Sequence, residues 1–490
     1  MVKIKTLKRA IFFIVLSFVF LFSAQAAEKK KYDFVEAMKF RYIRQYDLSK
    51  DGKWVAYSTG QDRGDPIGYV KSVENDSTYE IKGGISPKFN NNSTWAGFIV
   101  KPAALKVLNA KKNKPKNSLA LLKLENGKRT NFEKVKDFEF SEDSRWLAVW
   151  KYPEKQNRGE GNSDLILRDL LNESQLTLNN VVDFAFDSLS NYFAYIVKDA
   201  EGKDNGVYVV HLKGSFALPK KIQGKEKYDY TTLAWSTKTE QLAYIASKGS
   251  STAADSCALM IWDAKNDTLM TAIPYNGAPD GWFIPKSNNL QWTEDQTRLY
   301  FGFKPFSDTI PRKEKVKYND SNYYDIKTIR KKTDVDVWHW NDPRIKTNER
   351  IWWEDNKDRI FSAVYFTDSK HYVQLADLSC PDVEYVENDR YTVGHDNTPY
   401  LKLMTWEGFF YDVYSINEKF GTKKLIAKKV TEPAHISPEG KFIAYYKYPH
   451  WYLYDTEKDT TVNLTARIET PFYNEDNDVP AKPESYGIAG

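Results

Sequence analysis

Cysteine is almost absent from this chain: Cys257 and Cys380 are the only two among 490 residues. So low a count excludes a disulfide-stapled scaffold and a zinc site built on thiolates. An exported protein could pair the two, but they lie far apart in sequence, and two buried free thiols are the expected state. Histidine is scarce too. His211, His339, His371, His395, His435 and His450 stand singly, with no two at metal-ligand spacing, so no metal site is expected. Neither sign of charge dominates, since 71 basic and 66 acidic residues leave +5. No arginine or lysine block makes a nucleic-acid footprint, and the lysines between Lys111 and Lys116 read as a solvated loop. Glycine-rich phosphate loops and amphipathic membrane stretches are missing, and no cofactor is implied.

Long apolar runs are also missing, with one exception at the start. Lys3, Lys5, Lys8 and Arg9 precede the apolar stretch Ala10 to Phe22, and Ser23-Ala-Gln-Ala26 supplies the small residues a signal peptidase reads. The run is short for a bilayer span, which takes about 20 residues. Residues 1–26 are therefore expected to be a secretory signal peptide cleaved after Ala26, with the mature chain secreted or periplasmic and no membrane partner after cleavage.

What the chain has in abundance is one recurring phrase. It reads Tyr46-Asp-Leu-Ser-Lys-Asp-Gly-Lys-Trp-Val-Ala-Tyr57, then Phe138-Glu-Phe-Ser-Glu-Asp-Ser-Arg-Trp-Leu-Ala-Val149, then Phe184-Ala-Phe-Asp-Ser-Leu-Ser-Asn-Tyr-Phe-Ala-Tyr195. Further copies start near Leu233, Leu290 and His435, and weaker ones near Ile85 and Tyr385. Each is a hairpin, with a short polar residue opening the turn and expected to accept a bond from an amide two residues on. The anchors are Ser49, Ser86, Ser141, Asp187, Ser236, Thr293 and Ser437. Alanine in the outgoing strand (Ala56, Ala148, Ala194, Ala243, Ala444) leaves room for a neighbouring sheet. A second strand-turn-strand phrase follows most copies, as in Ala258 to Thr268, so each unit holds four strands. A period near 40 to 50 residues belongs to propeller blades. The expected fold is all-β: a β-propeller of about seven to eight four-stranded blades, possibly incomplete.

The domain plan follows from the repeats: signal peptide 1–26, leader 27–45 with a helical turn or two around Phe34–Phe40, propeller 46–470, and a linker-like tail 471–490. Lys304 to Thr333, rich in Lys, Asp, Tyr and Asn, interrupts the array as a long inserted loop.

Three further stretches bear on chemistry. His339 sits between Trp338 and Trp340, and a strand there would face both tryptophans one way and the histidine the other. His395-Asp396 is expected in a turn, a base without a nucleophile. Glu475-Asp476-Asn477-Asp478 lacks the glycine and distant glutamate of a calcium loop. Trp54, Trp146, Trp235, Trp262 and Trp292 occupy repeat positions and are assigned to packing. Carboxylates for glycoside work would have to converge from separate blades.

The segment Asp334-Val-Asp-Val-Trp-His-Trp-Asn-Asp-Pro-Arg-Ile345, the blade phrases, and the terminal Pro471 to Pro480 with Tyr486-Gly-Ile-Ala-Gly490 resemble the propeller portion of secreted bacterial serine peptidases of the prolyl oligopeptidase family. The resemblance implies an α/β-hydrolase domain with a serine, aspartate and histidine triad, its serine in a Gly-x-Ser-x-Gly elbow. No serine of this chain has glycines two positions to either side. No Glu-Glu pair of the dipeptidyl-aminopeptidase kind occurs either. No catalytic, cofactor-binding or metal residue is therefore assigned. The resemblance implies a non-catalytic domain that gates peptide substrates, its hydrolase domain absent here and supplied in cis or in trans. The other reading is a stand-alone exported propeller that binds a protein or peptide partner.

Overall fold

The computed structural model describes residues 33–153, 163–199, 201–213, 218–249, 257–306, 319, 321–330, 337–477 and 482–486. The expected signal peptide lies outside them. The fold is all-β and of the β-propeller class. Eight antiparallel meanders of four strands follow one another, at residues 42–82, 84–132, 135–178, 181–223, 229–273, 282–374, 382–430 and 435–463, numbered 1 to 8 below. Meanders 3 and 4 share a seven-stranded sheet, because the twelve-residue strand Gln175–Phe186 closes one and opens the next. Its register shifts at Val181, beside a left-handed Asn180 at φ 59°. In meander 6 the first strand is split into Trp282–Phe283 and Gln291–Trp292, both paired to Arg298–Pro305.

The described residues cluster into two compact units, one up to Phe138 and one from Glu139 onward. The boundary falls inside the strand Val135–Phe140.

Within each unit the core lies between successive meanders. In the first, Ala56, Val70 and Ile81 of meander 1 meet Ala96, Phe98 and Ala120 of meander 2. In the second, five apolar clusters each join one meander to the next, as where Ala194 and Ile196 pack on Leu242 and Tyr244. Ala56, Ala148, Ala194 and Ala243 are wholly buried, and Ala444 is half-buried. A bulkier side chain would hold the sheets apart, and interiors at crystal-like density leave no slack for it. Gly97 shows the limit, since a Cβ there would stand 2.4 Å from the Phe138 ring. Trp146, Trp262 and Trp292 are buried, and Trp54 and Trp235 half-buried, as the packing assignment requires.

The turns repeat with more detail than the sequence showed. The hydroxyls of Ser49, Ser141 and Ser437 accept the amides of Trp54, Trp146 and Phe442, five residues on rather than two. The turn is wider than expected because its fourth residue adopts a left-handed backbone: Gly52, Ser93, Ser144, Ser190, Gln296 and Gly440, all at φ between 54° and 71°. In meander 2 the anchor is Asn90, which accepts the amides of Thr94 and Trp95. Ser86, taken as the anchor, lies in the strand Gly84–Phe89 at φ 49°, its amide bonded to Gln45.

Three more segments differ from expectation. The inserted loop was bounded at Lys304 and Thr333, yet Lys304 still belongs to a strand, and the interruption runs on to Ile360 through the helices Ile326–Arg330 and Lys346–Asn356. Ion pairs of Lys346 with Asp342 and Glu349 support the start of the second helix. Residues 337–341 form no strand. Trp338 and Trp340 are 61% and 88% exposed, and the His339 ring lies against Trp340. The tail was read without strand character, but Tyr473 bridges Ser485 in antiparallel fashion, and Ser485 is held by the Glu432 carboxylate. At the other end the leader forms the short helix Phe34–Ala37, with Asp33 accepting the Glu36 amide.

Candidate functional site

In the second unit, an open cleft of about 730 Å³ forms where the first strands of meanders 7 and 8 meet the inserted helix. The strand Asp382–Val383 brings in two carboxylates, Asp382 and, just past its end, Glu384. Alternation sets them on one face of extended backbone, since they are two residues apart. His395 lies across from Asp382 in the ladder, and His435 opens the first strand of meander 8. Trp352 and Asn356 come from the helix Lys346–Asn356, and Arg359 follows it.

The two carboxylates differ in setting. Asp382 is paired to Arg359 at 2.6 Å, and that guanidinium also covers the Phe361 ring at 5.2 Å. Glu384 has no such cation among the described residues. Partial burial raises its pKa, and nearby His435 offsets this only in part. Its backbone is fixed by the bonds of its amide to Val393 and of the Thr392 hydroxyl to its carbonyl.

His395 was expected in a turn but lies on the strand Tyr391–Asp396. Its Nε2 accepts the amide of Ala434 at 2.9 Å, and the ring stands edge-on to Tyr411. Burial lowers its pKa to about 4, so the ring is neutral at pH 7 with its proton on Nδ1. An Nε2 already engaged by the backbone has no lone pair left to take a substrate proton. Ser362 also lines the cleft, and its hydroxyl makes no hydrogen bond to either histidine among the described residues. An activated nucleophile needs such a base within reach. What the cleft offers is a set of binding groups: two carboxylates, one guanidinium, one exposed imidazole and an indole.

No family model matches the chain, and no curated protein matches it. Among solved structures it is similar to a eukaryotic initiation factor, at 11% identity over 84% of this chain and 85% of that one, TM-score 0.41. It is also similar to a prolyl endopeptidase, at 11% identity, covering 86% of this chain and 55% of that one, TM-score 0.36. A third is the β-propeller domain of the Trilobed protease from Pyrococcus furiosus, at 11% identity over 81% of this chain and all of that one, TM-score 0.31. The chain thus spans about half the length of the prolyl endopeptidase. No residue role is carried over from any of them.

Sequence reading missed the cleft because its groups are distant in the chain. His395 and His435 fall in different meanders, and only the sheet packing brings them together. The other histidines stay apart from it: His211 lies against Tyr192, and His450 bonds Thr465. Cys257 and Cys380 are both buried and not bonded to one another, with burial pushing the Cys380 thiol up to about 12. Among the described residues no three metal-ligating side chains gather; of the acidic stretch near the C-terminus, Asp478 lies outside those residues.

Sequence reading also missed a buried ion pair. Arg298 and Glu418, both fully buried, stand 3.8 Å apart, with Arg298 bonded to the carbonyls of Glu387 and Asn388. Both carboxylate oxygens of Glu418 lack a hydrogen bond. Burial outweighs the attraction of Arg298 and pushes its pKa up to about 7.

Proposed function

We propose that this chain is the substrate-gating propeller of a prolyl-oligopeptidase-like serine peptidase, and that hydrolysis is performed by a hydrolase domain outside these 490 residues, in cis or in trans. The observation that carries the reading is the cleft at the first strands of meanders 7 and 8. Its volume suits a few residues of extended peptide, and it presents acceptors for a chain's N–H groups and donors for its carbonyls. Asp382 and Glu384 supply the first, Arg359 and His435 the second. It binds without reacting, since no nucleophile there is paired with a base. In this reading residues 1–26 are a signal peptide cleaved after Ala26, and the protein acts on peptides in the periplasm or outside the cell.

A second reading, a stand-alone exported propeller that binds a protein partner, draws on the exposed aromatic surface of Trp338, Trp340 and Trp406. One experiment addresses both. The purified chain is treated with a fluorophosphonate probe and with chromogenic peptides, then mixed with whatever hydrolase domain is encoded next to it. The gating reading expects no labelling and no cleavage by the chain alone, and peptide cleavage that excludes folded proteins once the two are together. Specific serine labelling of the chain alone would overturn it, and an unrelated neighbouring gene would favour the second reading.

A further inference from the structure

The end of meander 7, the hairpin of meander 8 and the returning C-terminal segment enclose a second cavity, of about 560 Å³. Lys428, Lys429, Lys447 and Lys482 line it, and Glu407 is the single carboxylate among its lining residues. Glu407 is taken by Lys429 at 3.1 Å. Lys428, Lys447 and Lys482 have no carboxylate within ion-pair distance among the described residues. Glu432 is no substitute, because its carboxylate holds the amide and hydroxyl of Ser485.

The convergence of these lysines has a local cause. Consecutive residues of an extended strand face opposite sides. Lys429 breaks the alternation with φ 52°, its amide tied to Asp412 at 3.1 Å, and both Lys428 and Lys429 then line one cavity. A lysine seldom adopts that backbone, and such outliers cluster at functional sites. The apolar walls are aromatic, with Lys429 4.6 Å over the Phe410 ring and Lys482 5.6 Å over the Tyr448 ring. The hydroxyl of Thr431, another lining residue, is buried without a hydrogen-bond partner.

We infer that this cavity is a binding site for a small organic polyanion, one bearing two or more carboxylate or phosphate charges on a compact apolar body. Three lysines without a carboxylate partner among the described residues line one space, and an anion held between them would accept charge-assisted hydrogen bonds. Phe410 and Tyr448 take the apolar body. A pocket of this size encloses a small molecule, whereas a nucleic acid needs an open basic stripe. The site shares no residue with the peptide cleft and stands or falls separately from the gating reading.

Calorimetric titration of the full chain at low salt with citrate, phenyl phosphate and inorganic phosphate tests the inference. Citrate or phenyl phosphate is expected to bind at least about tenfold tighter than inorganic phosphate, and which of the two wins tells a carboxylate ligand from a phosphate one. Lys428→Gln and Lys447→Gln, singly and together, should weaken the tighter ligand by about tenfold or more, with Lys447→Arg keeping it and the exposed Lys238→Gln changing nothing. Circular dichroism of each variant shows that it is folded, and the single variants serve where the double one is not. No binding by the chain, equal binding of all three anions, or affinity indifferent to the pocket lysines would overturn the inference.

Discussion

A single backbone position explains how neighbouring turns are held together. Ser190 sits left-handed at φ 54° and its hydroxyl accepts the Asp143 amide at 3.0 Å from the preceding turn. Ser93 does the same for Asp51, and Gln296 for Thr237. Glycine would relieve the backbone strain but abolish the bond; alanine would lose the bond and keep the strain. Ser190→Ala is therefore expected to destabilise by about 1–2 kcal/mol and Ser190→Gly by less, as urea unfolding midpoints would show. The neighbouring anchor Asp187 is a weak point of another kind. Its Oδ2 is buried without a partner, and burial pushes the carboxyl pKa up to about 6. A raised acid pKa gives stability that is complete below the ordinary carboxylate range and lost as pH rises through about 6. Asp187→Ser, which copies the anchor at Ser49 and Ser141, should raise stability at pH 8 by about 1 kcal/mol after discounting for solvent near the turn, with the gain vanishing below pH 4. Equal melting shifts at pH 4 and pH 8 would contradict this.

At the scale of elements, meander 7 carries two buried groups whose protonation pulls stability in opposite directions. Glu418, pushed up to about 7, favours the fold at low pH and ceases to do so as pH rises through 7. His395, lowered to about 4, favours it above its ordinary value near 6.5 and ceases to do so as pH falls through 4. Between pH 5 and 7 these two contributions oppose one another. In Glu418→Gln the low-pH gain disappears and stability should fall on acidification from pH 6.5 to 4. In a His395→Gln variant it should instead fall as pH rises toward 7. Parallel profiles for the two variants would refute the assignment. Neither group could be recognised from the sequence. Hairpins were legible because the polar anchor and the apolar outgoing run are adjacent in the chain, whereas Glu418 meets Arg298, and His395 meets Ala434, across different strands. The helix Lys346–Asn356 escaped notice because its apolar residues, Ile351, Trp352 and Trp353, sit side by side and mark no single stripe.

For the whole molecule, a serial array of about seven to eight four-stranded meanders was legible from the turn phrases, because each copy carries the same local instruction. The grouping into two units has no such local signal, because it follows from contacts between residues far apart in the chain. The two cysteines offer a readout of global opening. Both are buried, Cys257 in meander 5 and Cys380 in the connection between meanders 6 and 7, and burial holds the Cys380 thiol in its unreactive form. An aromatic disulfide reagent is expected to label neither in native buffer, and in denaturant both should react together at the unfolding rate. Fast native labelling of one alone would show that its region opens by itself.

The hand-to-hand bonding of the turns also bears on how such a chain could lengthen or shorten. Three pairs of successive turns share one coupling, an amide offered forward at the third residue or nearby and a side chain reaching back from the fourth. A stretch copied from one anchor to the next would therefore arrive with a matching grip on each flank, and its neighbours would need no rewriting. Gly52 and Gly440, which stand in the first and last of the turns, have no side chain with which to reach back. A copied stretch that brought either glycine along would lack the backward half of that grip.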